Sequence, residues 1–251
     1  DLHSFPTRRS SDLWQKRLEA FGAFAENGKN GLRINRFASL AIGDYLDDAE
    51  NLKADKKWKA FRRTISAKGV SVASVPASLQ AELRPYQEEG FRWMARLGEW
   101  ESGACLADDM GLGKTVQALA VLLHRRSAGS ALVVCPVSVI GNWIAEINRF
   151  APSLNIKIPG SGNREELLQS LEAGDVLITS YGLLQSEEEL FAKTTFATVV
   201  LDEAHVIKNR TTKTSKAIMR LKASFRIALT GTPLQNNLLP KIGRASCRER
   251  V

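Results

Sequence analysis

The chain has 251 residues, 44% hydrophobic and 25% charged, with a formal net charge of +8. This is ordinary for a globular protein of one large or two small domains with a sizeable core. No apolar stretch reaches the roughly 18 residues that a membrane span needs, and the N-terminus lacks the charged-then-apolar pattern of a signal peptide, so the sequence reads as intracellular and without a membrane partner. Cys105, Cys135 and Cys247 have no paired metal-ligand spacing and read as buried or incidental thiols rather than a disulfide framework or zinc site.

Taken in chain order, the two ends stand apart first. Residues 3–13 (HSFPTRRSSDL) and 241–251 (KIGRASCRERV) can be encoded by the two complementary strands of one DNA segment. His3 CAC reverses to Val251 GTG, Phe5 TTC to Glu249 GAA, Thr7 ACA to Cys247 TGT, and so on through all eleven pairs. Residues 1–13 and 241–251 are therefore expected to be non-native, adapter-derived tails, to be set aside from fold reasoning like any fusion scar. The C-terminal tail carries Lys241, Arg244, Arg248 and Arg250 against Glu249, a net +3, while residues 1–13 balance, so the remainder holds about +5 of the +8 and speaks less strongly for a polyanionic partner.

Residues 14–78 read as a mainly helical segment with a break at 26–31 (ENGKNG). Within it, residues 53–68 place Trp58, Phe61 and Ile65 near one helical face among Lys56, Lys57, Lys59, Arg62 and Arg63, either a docked helix with a solvated basic face or a DNA contact. From Leu79 the signals alternate. Helix is expected at 86–93, 114–125, 140–150, from the Asn163–Glu166 capping box to about 171, and at 211–221. Strand is expected at 104–107, 131–135, 176–179, 198–201 and 226–229, with a short apolar piece at 156–158. The alternation predicts an α/β lobe over 79–240, a mostly parallel sheet with helices on both faces.

Three polar segments, each following an apolar run of strand length, gather along one edge of such a sheet. In the first, Asp109, Met110, Gly111, Leu112, Gly113, Lys114 and Thr115 form a phosphate cradle. Its glycines let backbone N–H groups approach phosphate oxygens, Lys114 reaches the β- and γ-phosphates, and the Thr115 hydroxyl ligates magnesium. Asp108 stands where the strict pattern has glycine. In the second, Asp202 is the magnesium partner and Glu203 the group that orients or deprotonates the attacking water. Adjacent His205 is either a relay or interface residue or an ordinary surface histidine. The third is the turn Thr230, Gly231 and Thr232 with Pro233 to Asn237 behind it.

Together, DDMGLGKT at 108–115, DEAH at 202–205 followed by Ile207-Lys208-Asn209, and LTGTPLQNN at 229–237 resemble the first ATPase lobe of the Swi/Snf family of superfamily-two DNA translocases. Family members usually carry Asp-Glu-Met-Gly where this chain has Asp108-Asp109-Met110-Gly111. The resemblance implies a RecA-like P-loop lobe that binds ATP and Mg²⁺ and acts on double-stranded DNA in a sequence-tolerant way. It also implies roles for further residues. Gln87, after Leu83-Arg84-Pro85-Tyr86, looks like the adenine-recognition element, its amide able to donate and accept. Pro136, Ser138, Thr179, Ser180 and Tyr181 resemble motifs that meet the DNA backbone. Thr230, Gly231 and Thr232 resemble the loop that couples nucleotide state to DNA movement. Lys208, Arg210, Lys213 and Lys216 line a DNA track or a solvated face.

The family's engine has a second lobe whose arginines stabilise the transferring phosphoryl group, worth about 10³ to 10⁵ in rate. The recognisable sequence stops near Pro240, so this 251-residue chain is expected to hydrolyse ATP poorly, the missing lobe being one of its partners. A general superfamily-two helicase and a non-catalytic nucleotide- or DNA-binding half-module are the alternatives. The expected location is cytoplasmic and nucleoid-associated in a bacterium, or nuclear in a eukaryote.

Overall fold

The computed structural model describes residues 25–28, 31–34, 73–100, 102–109, 111–160, 162–207, 209 and 211–231. Met110, Lys208, Arg210, Thr232, both chain ends and the basic segment at 53–68 lie outside the described residues. The chain divides into two compact units, Asp1–Gly69 and Val70–Val251.

In the first unit, β1 (Ala25–Gly28) pairs antiparallel with β2 (Gly31–Ile34), Gly28 opposite Gly31. At these residues the chain is strand where a helical segment with a break was expected; the rest of 14–72 lies outside the described residues. The asparagine- and glycine-rich run that disfavours a helix is also compatible with a tight hairpin, and the two strands take in Asn27, Gly28 and Gly31.

The second unit runs α1 (Pro85–Glu99), β3 (Ala104–Leu106), α2 (Lys114–His124), β4 (Ala131–Cys135), α3 (Ile140–Phe150), β5 (Asn155–Lys157), α4 (Arg164–Gln169), β6 (Asp175–Ser180), α5 (Tyr181–Ser186), α6 (Glu188–Lys193), β7 (Thr195–Leu201), α7 (Lys213–Arg220) and β8 (Lys222–Leu229). Helices α5 and α6 were not expected. At six residues each they are too short to show a 3.6-residue period. Ser180 caps the first, accepting from the Leu183 N–H at 3.1 Å.

Among the described residues β3–β8 form one sheet in the order β3-β8-β7-β4-β6-β5, every pair parallel. The near-continuous apolar strands Ala-Leu-Val-Val-Cys and Thr-Phe-Ala-Thr-Val-Val-Leu suit strands covered on both faces. From β3 the chain steps through β4 to β5, then reverses through β6 and β7 to β8. Right-handed crossovers put α2 and α3 on one face and α4 to α7 on the other. The packing agrees, α2 lying against α1 and α3, and α7 against α5 and α6. Trp143, Phe91, Phe191, Phe196 and Phe225 are the bulkiest fully buried side chains among those described. Arg125, just past α2, ties that helix to the sheet. Its guanidinium donates to Thr198 Oγ1, the Ala197 carbonyl and Ser224 Oγ, and it stands 5.2 Å above the Phe225 ring.

A parallel sheet sends all its strand C-termini to the same edge. Leu106, Cys135, Ser180, Leu201 and Leu229 end their strands there, with Leu106 beside Leu229, Val134 beside Leu201 and Cys135 beside Ser180. The residues that follow each of them share that edge.

Candidate functional site

The loop after β3 turns on Gly111 and Gly113, at φ +82° and +75°, left-handed conformations that glycine adopts without steric cost. Gly113 is demanded twice, because a Cβ there would stand 2.4 Å from Gln87 Nε2. Lys114 opens α2, and its ammonium folds back over the loop, donating to the Asp108 carbonyl at 2.8 Å and the Asp109 carbonyl at 2.9 Å. The cradle thus holds a cation at the positive end of a helix, the arrangement that receives a phosphate.

Gln87 bolts this loop to α1. Its Oε1 accepts from the Arg84 N–H at 2.9 Å, capping the helix, while its Nε2 donates to the Leu112 carbonyl at 3.1 Å, which Tyr86 also reaches through its hydroxyl. Both ends of the amide are therefore engaged within the chain. Gln117, fully buried on α2, lies between the same elements, its Nε2 3.5 Å from Asp108 Oδ2 and from the Gly113 carbonyl. Sequence reasoning did not single out Gln117. A polar residue in an apolar helical run, two places after Thr115, was the available signal.

Asp202 follows β7 and is held from four sides. Its N–H donates to the Val134 carbonyl at 2.9 Å, its carbonyl accepts from Tyr181 Oη at 2.6 Å, its Oδ1 accepts from the Glu203 N–H at 2.9 Å, and its Oδ2 accepts from Trp143 Nε1 at 2.9 Å. Trp143 is 1% exposed. Glu146, about one turn along α3 from Trp143, is half-buried near Asp202, and burial is the chief cause that raises its pKa. Neither α3 residue was expected at the site, although their spacing put them on one face of a predicted helix.

The electrostatics follow from that packing. Burial, then the negative charge of Asp202, pushes the Cys135 thiol up to about 12. Burial raises the Tyr181 phenol well above its ordinary value, with Asp202, Cys135 and Glu203 adding to it, so it stays a donor. Glu203 has φ +48°, a left-handed backbone that costs a non-glycine residue about 1–3 kcal/mol and marks sites held in place by their surroundings. His205, exposed in the 3₁₀ turn Ala204–Ile207, brings Nδ1 to 3.1 Å from Glu203 Oε2.

The remaining expected residues divide. Pro136 and Ser138 follow β4, Ser138 exposed in the 3₁₀ turn Val137–Val139. Thr179 and Tyr181, at 1% and 7% exposure, face the interior, Thr179 because β6 is covered on both sides and Tyr181 because it opens α5 with its hydroxyl on the Asp202 carbonyl. That corner leaves Ser180 and the backbone to meet a phosphate. Thr230 is buried after β8, its N–H donating to the Leu106 carbonyl at 3.1 Å, and Gly231 follows it. Lys213 and Lys216 are exposed on α7 and line a groove with Arg220, which pairs with Glu188 at 2.9 Å.

Among the described residues no group of three or more His, Cys, Asp or Glu side chains could cage a metal ion. Thr115, in the first turn of α2, and Asp202, just after β7, offer instead one hydroxyl and one carboxylate at the same sheet edge. This donor set fits magnesium, which keeps several waters and takes its other ligands from substrate phosphates.

Fold and site together define a RecA-like P-loop lobe, one parallel sheet edge bearing a glycine loop with a lysine, a threonine hydroxyl and a strand-end acidic pair. Residues 86–241 match the model of the SNF2-related domain, and the chain belongs to that family. YwqA of Bacillus subtilis (strain 168) is 42% identical over 185 residues, 71% of this chain and 20% of YwqA. The ISWI chromatin-remodeling complex ATPase CHR17 of Arabidopsis thaliana is 39% identical over 184 residues, 69% of this chain and 17% of CHR17. The Sulfolobus solfataricus SWI2/SNF2 ATPase core in complex with dsDNA superposes with a TM-score of 0.61 at 39% identity, covering 69% of this chain and 37% of that one. The chain thus spans a fifth or less of those two relatives and little more than a third of that core.

Proposed function

We propose that this chain is the ATP-binding lobe of an ATP-dependent double-stranded DNA translocase that remodels protein–DNA complexes. The observation that carries the reading is the shared strand edge. It gathers the Lys114–Thr115 loop, after β3, and the Asp202–Glu203 pair, after β7, on the same side of the sheet, as a nucleotide with its metal requires.

In this reading Lys114 exchanges its two loop carbonyls for the β- and γ-phosphates, and Gln87 exchanges an internal partner for the adenine edge. Thr115 and Asp202 hold magnesium, which supplies charge neutralisation at the phosphates. Glu203 orients the attacking water, with His205 and the Thr230–Gly231 turn coupling the nucleotide's state to DNA movement. Pro136, Ser138 and Ser180 meet the DNA backbone through small groups that position without reading sequence. The duplex in the Sulfolobus complex and the chromatin-remodeling ATPase among the relatives support the choice of DNA and of remodelling. Arginines of a second lobe complete the engine, and without them turnover falls by about 10³ to 10⁵.

Equilibrium titration of the 251-residue chain with a fluorescent ATP analogue, followed by a turnover assay with duplex DNA, tests this. The expected result is magnesium-dependent binding, abolished by Lys114→Ala, with little DNA-stimulated hydrolysis. A folded chain that fails to bind the nucleotide overturns the reading.

A further inference from the structure

Gln117 is 0% exposed on α2, a primary amide followed by an apolar run from Ala118 to Leu123. Its Nε2 stands 3.5 Å from Asp108 Oδ2 and 3.5 Å from the Gly113 carbonyl, while its Oε1 is buried without a hydrogen-bond partner. Exchanging nitrogen and oxygen would turn the amide oxygen onto a carboxylate and a carbonyl, so the donors face the loop. Helix α1 makes room for this amide at Gly90, where a Cβ would stand 2.1 Å from Oε1. A buried acceptor left unpaired is unfavourable and calls for an explanation. A leucine at 117 would fill the same seam without one, so the packing of α1 on α2 does not account for the amide.

The group that the amide acts on is Asp108. That residue is held at two points, its carbonyl accepting from the Lys114 ammonium at 2.8 Å and its carboxylate meeting Gln117. When a phosphate draws Lys114 away, the hold on the carboxylate remains. This matters because Asp108 sets a negative charge beside a cradle that receives an anion, and a charge in a partly buried site acts strongly over a few ångströms. We propose that Gln117 is a positioning residue for nucleotide binding, drawing the Asp108 carboxylate into the seam between α1 and α2 and so keeping the mouth of α2 positive for the phosphates. This rests on the reading that the Lys114 loop binds ATP.

The test is the affinity of the 251-residue chain in magnesium for fluorescent ATP and, by competition, for ADP and adenosine, with melting in the absence of nucleotide as the folding control. Gln117→Leu should weaken ATP and ADP by about tenfold, the order expected when one charge moves by a few ångströms at the effective dielectric of such a site. Adenosine, which has no phosphate, should change by less than about twofold, and added salt should shrink the loss for ATP. Asp108→Asn removes the charge that the amide controls. In that background Gln117→Leu should cost less than about twofold in ATP affinity.

Gln117→Leu with wild-type ATP affinity overturns the inference. So does a loss equal for ATP and adenosine, or one that persists with Asp108→Asn, since either makes Gln117 a packing residue. Should the leucine variant fail to fold, Asp108→Asn alone decides, because it leaves the buried position intact. With Gln117 already holding the carboxylate aside, that change should alter ATP affinity by less than about twofold, and a larger gain shows the charge uncontrolled and overturns the inference. A folded wild-type chain that binds no ATP removes the reading of the loop, and this inference with it.

Discussion

Replacing Trp143 with phenylalanine tests the most consequential contact in the site. The substitution keeps an aromatic ring in the core but removes the indole N–H that meets Asp202 Oδ2 at 2.9 Å. A hydrogen bond to a charged group is worth about 1.5–3 kcal/mol. Asp202 is only partly buried, so water replaces part of that and the low end, about 1.5 kcal/mol, applies. Loss of the second ring from a site that is 1% exposed adds about 1–2 kcal/mol at roughly 0.8 per buried methylene equivalent. The sum, about 3 kcal/mol, corresponds to a melting temperature lower by about 6–12 °C in a unit of this size. Urea unfolding of the wild type, Trp143→Phe, Asp202→Ala and the double variant separates the two contributions, since ring volume cancels in the cycle and the hydrogen bond does not. A coupling energy of about 1–1.5 kcal/mol is expected. A coupling below about 0.5 kcal/mol, the level at which independent sites add, would refute the claim that α3 fixes Asp202.

Three further outcomes follow from named groups. Gly113→Ala should cost about 1–3 kcal/mol through its positive φ alone, and the 2.4 Å approach to Gln87 Nε2 should also pull α1 from the loop. Melting and nucleotide titration should therefore fall together, whereas Gly111→Ala, with no atom within 4 Å of the new Cβ, should retain the packing. The Cys135 thiol, raised to about 12 by burial and then by Asp202, is thiolate in roughly one part in 10⁴ at pH 8. Iodoacetamide followed by mass mapping should find it unlabelled until denaturant is added, and labelling under native conditions would contradict the burial. For Glu146, burial is the largest influence and raises the folded pKa, Asp202 raises it further, and Thr115 and Arg149 oppose the rise without cancelling it. The folded chain then binds more protons than the unfolded one between the two pKa values, so the stability this carboxyl withholds at neutral pH is regained as pH falls through the folded value. Glu146→Gln should be more stable than wild type at pH 7 and lose that advantage in acid. Parallel pH profiles for the two would refute the assignment.

The local composition of this chain already marked most elements of its α/β lobe and the polar segments that meet at the sheet edge. Apolar runs of strand length ending in Gly-Leu-Gly-Lys-Thr and Asp-Glu-Ala-His specify where phosphate and acid chemistry begin, because strand, turn and helix N-terminus are all short-range structures. The Asn163 cap at Glu166 was legible for the same reason, and its side chain accepts from the Glu166 N–H at 3.3 Å. Where one composition serves two local structures, the sequence misleads, as at Asn27–Gly28, which reads as a helix break and is the end of a hairpin strand. Only the tertiary structure decided which strands are neighbours. The order β3-β8-β7-β4-β6-β5 places residue 202 beside residue 134 and brings a helix about 60 residues upstream to hold it. It also turned Thr179 inward, because both faces of β6 are covered, and Tyr181 with it, at the start of α5 where its hydroxyl meets the Asp202 carbonyl. Trp143 and Glu146 carry no motif. Their part in the site depends on contacts across the sheet edge, and such contacts arise from packing that no local periodicity encodes.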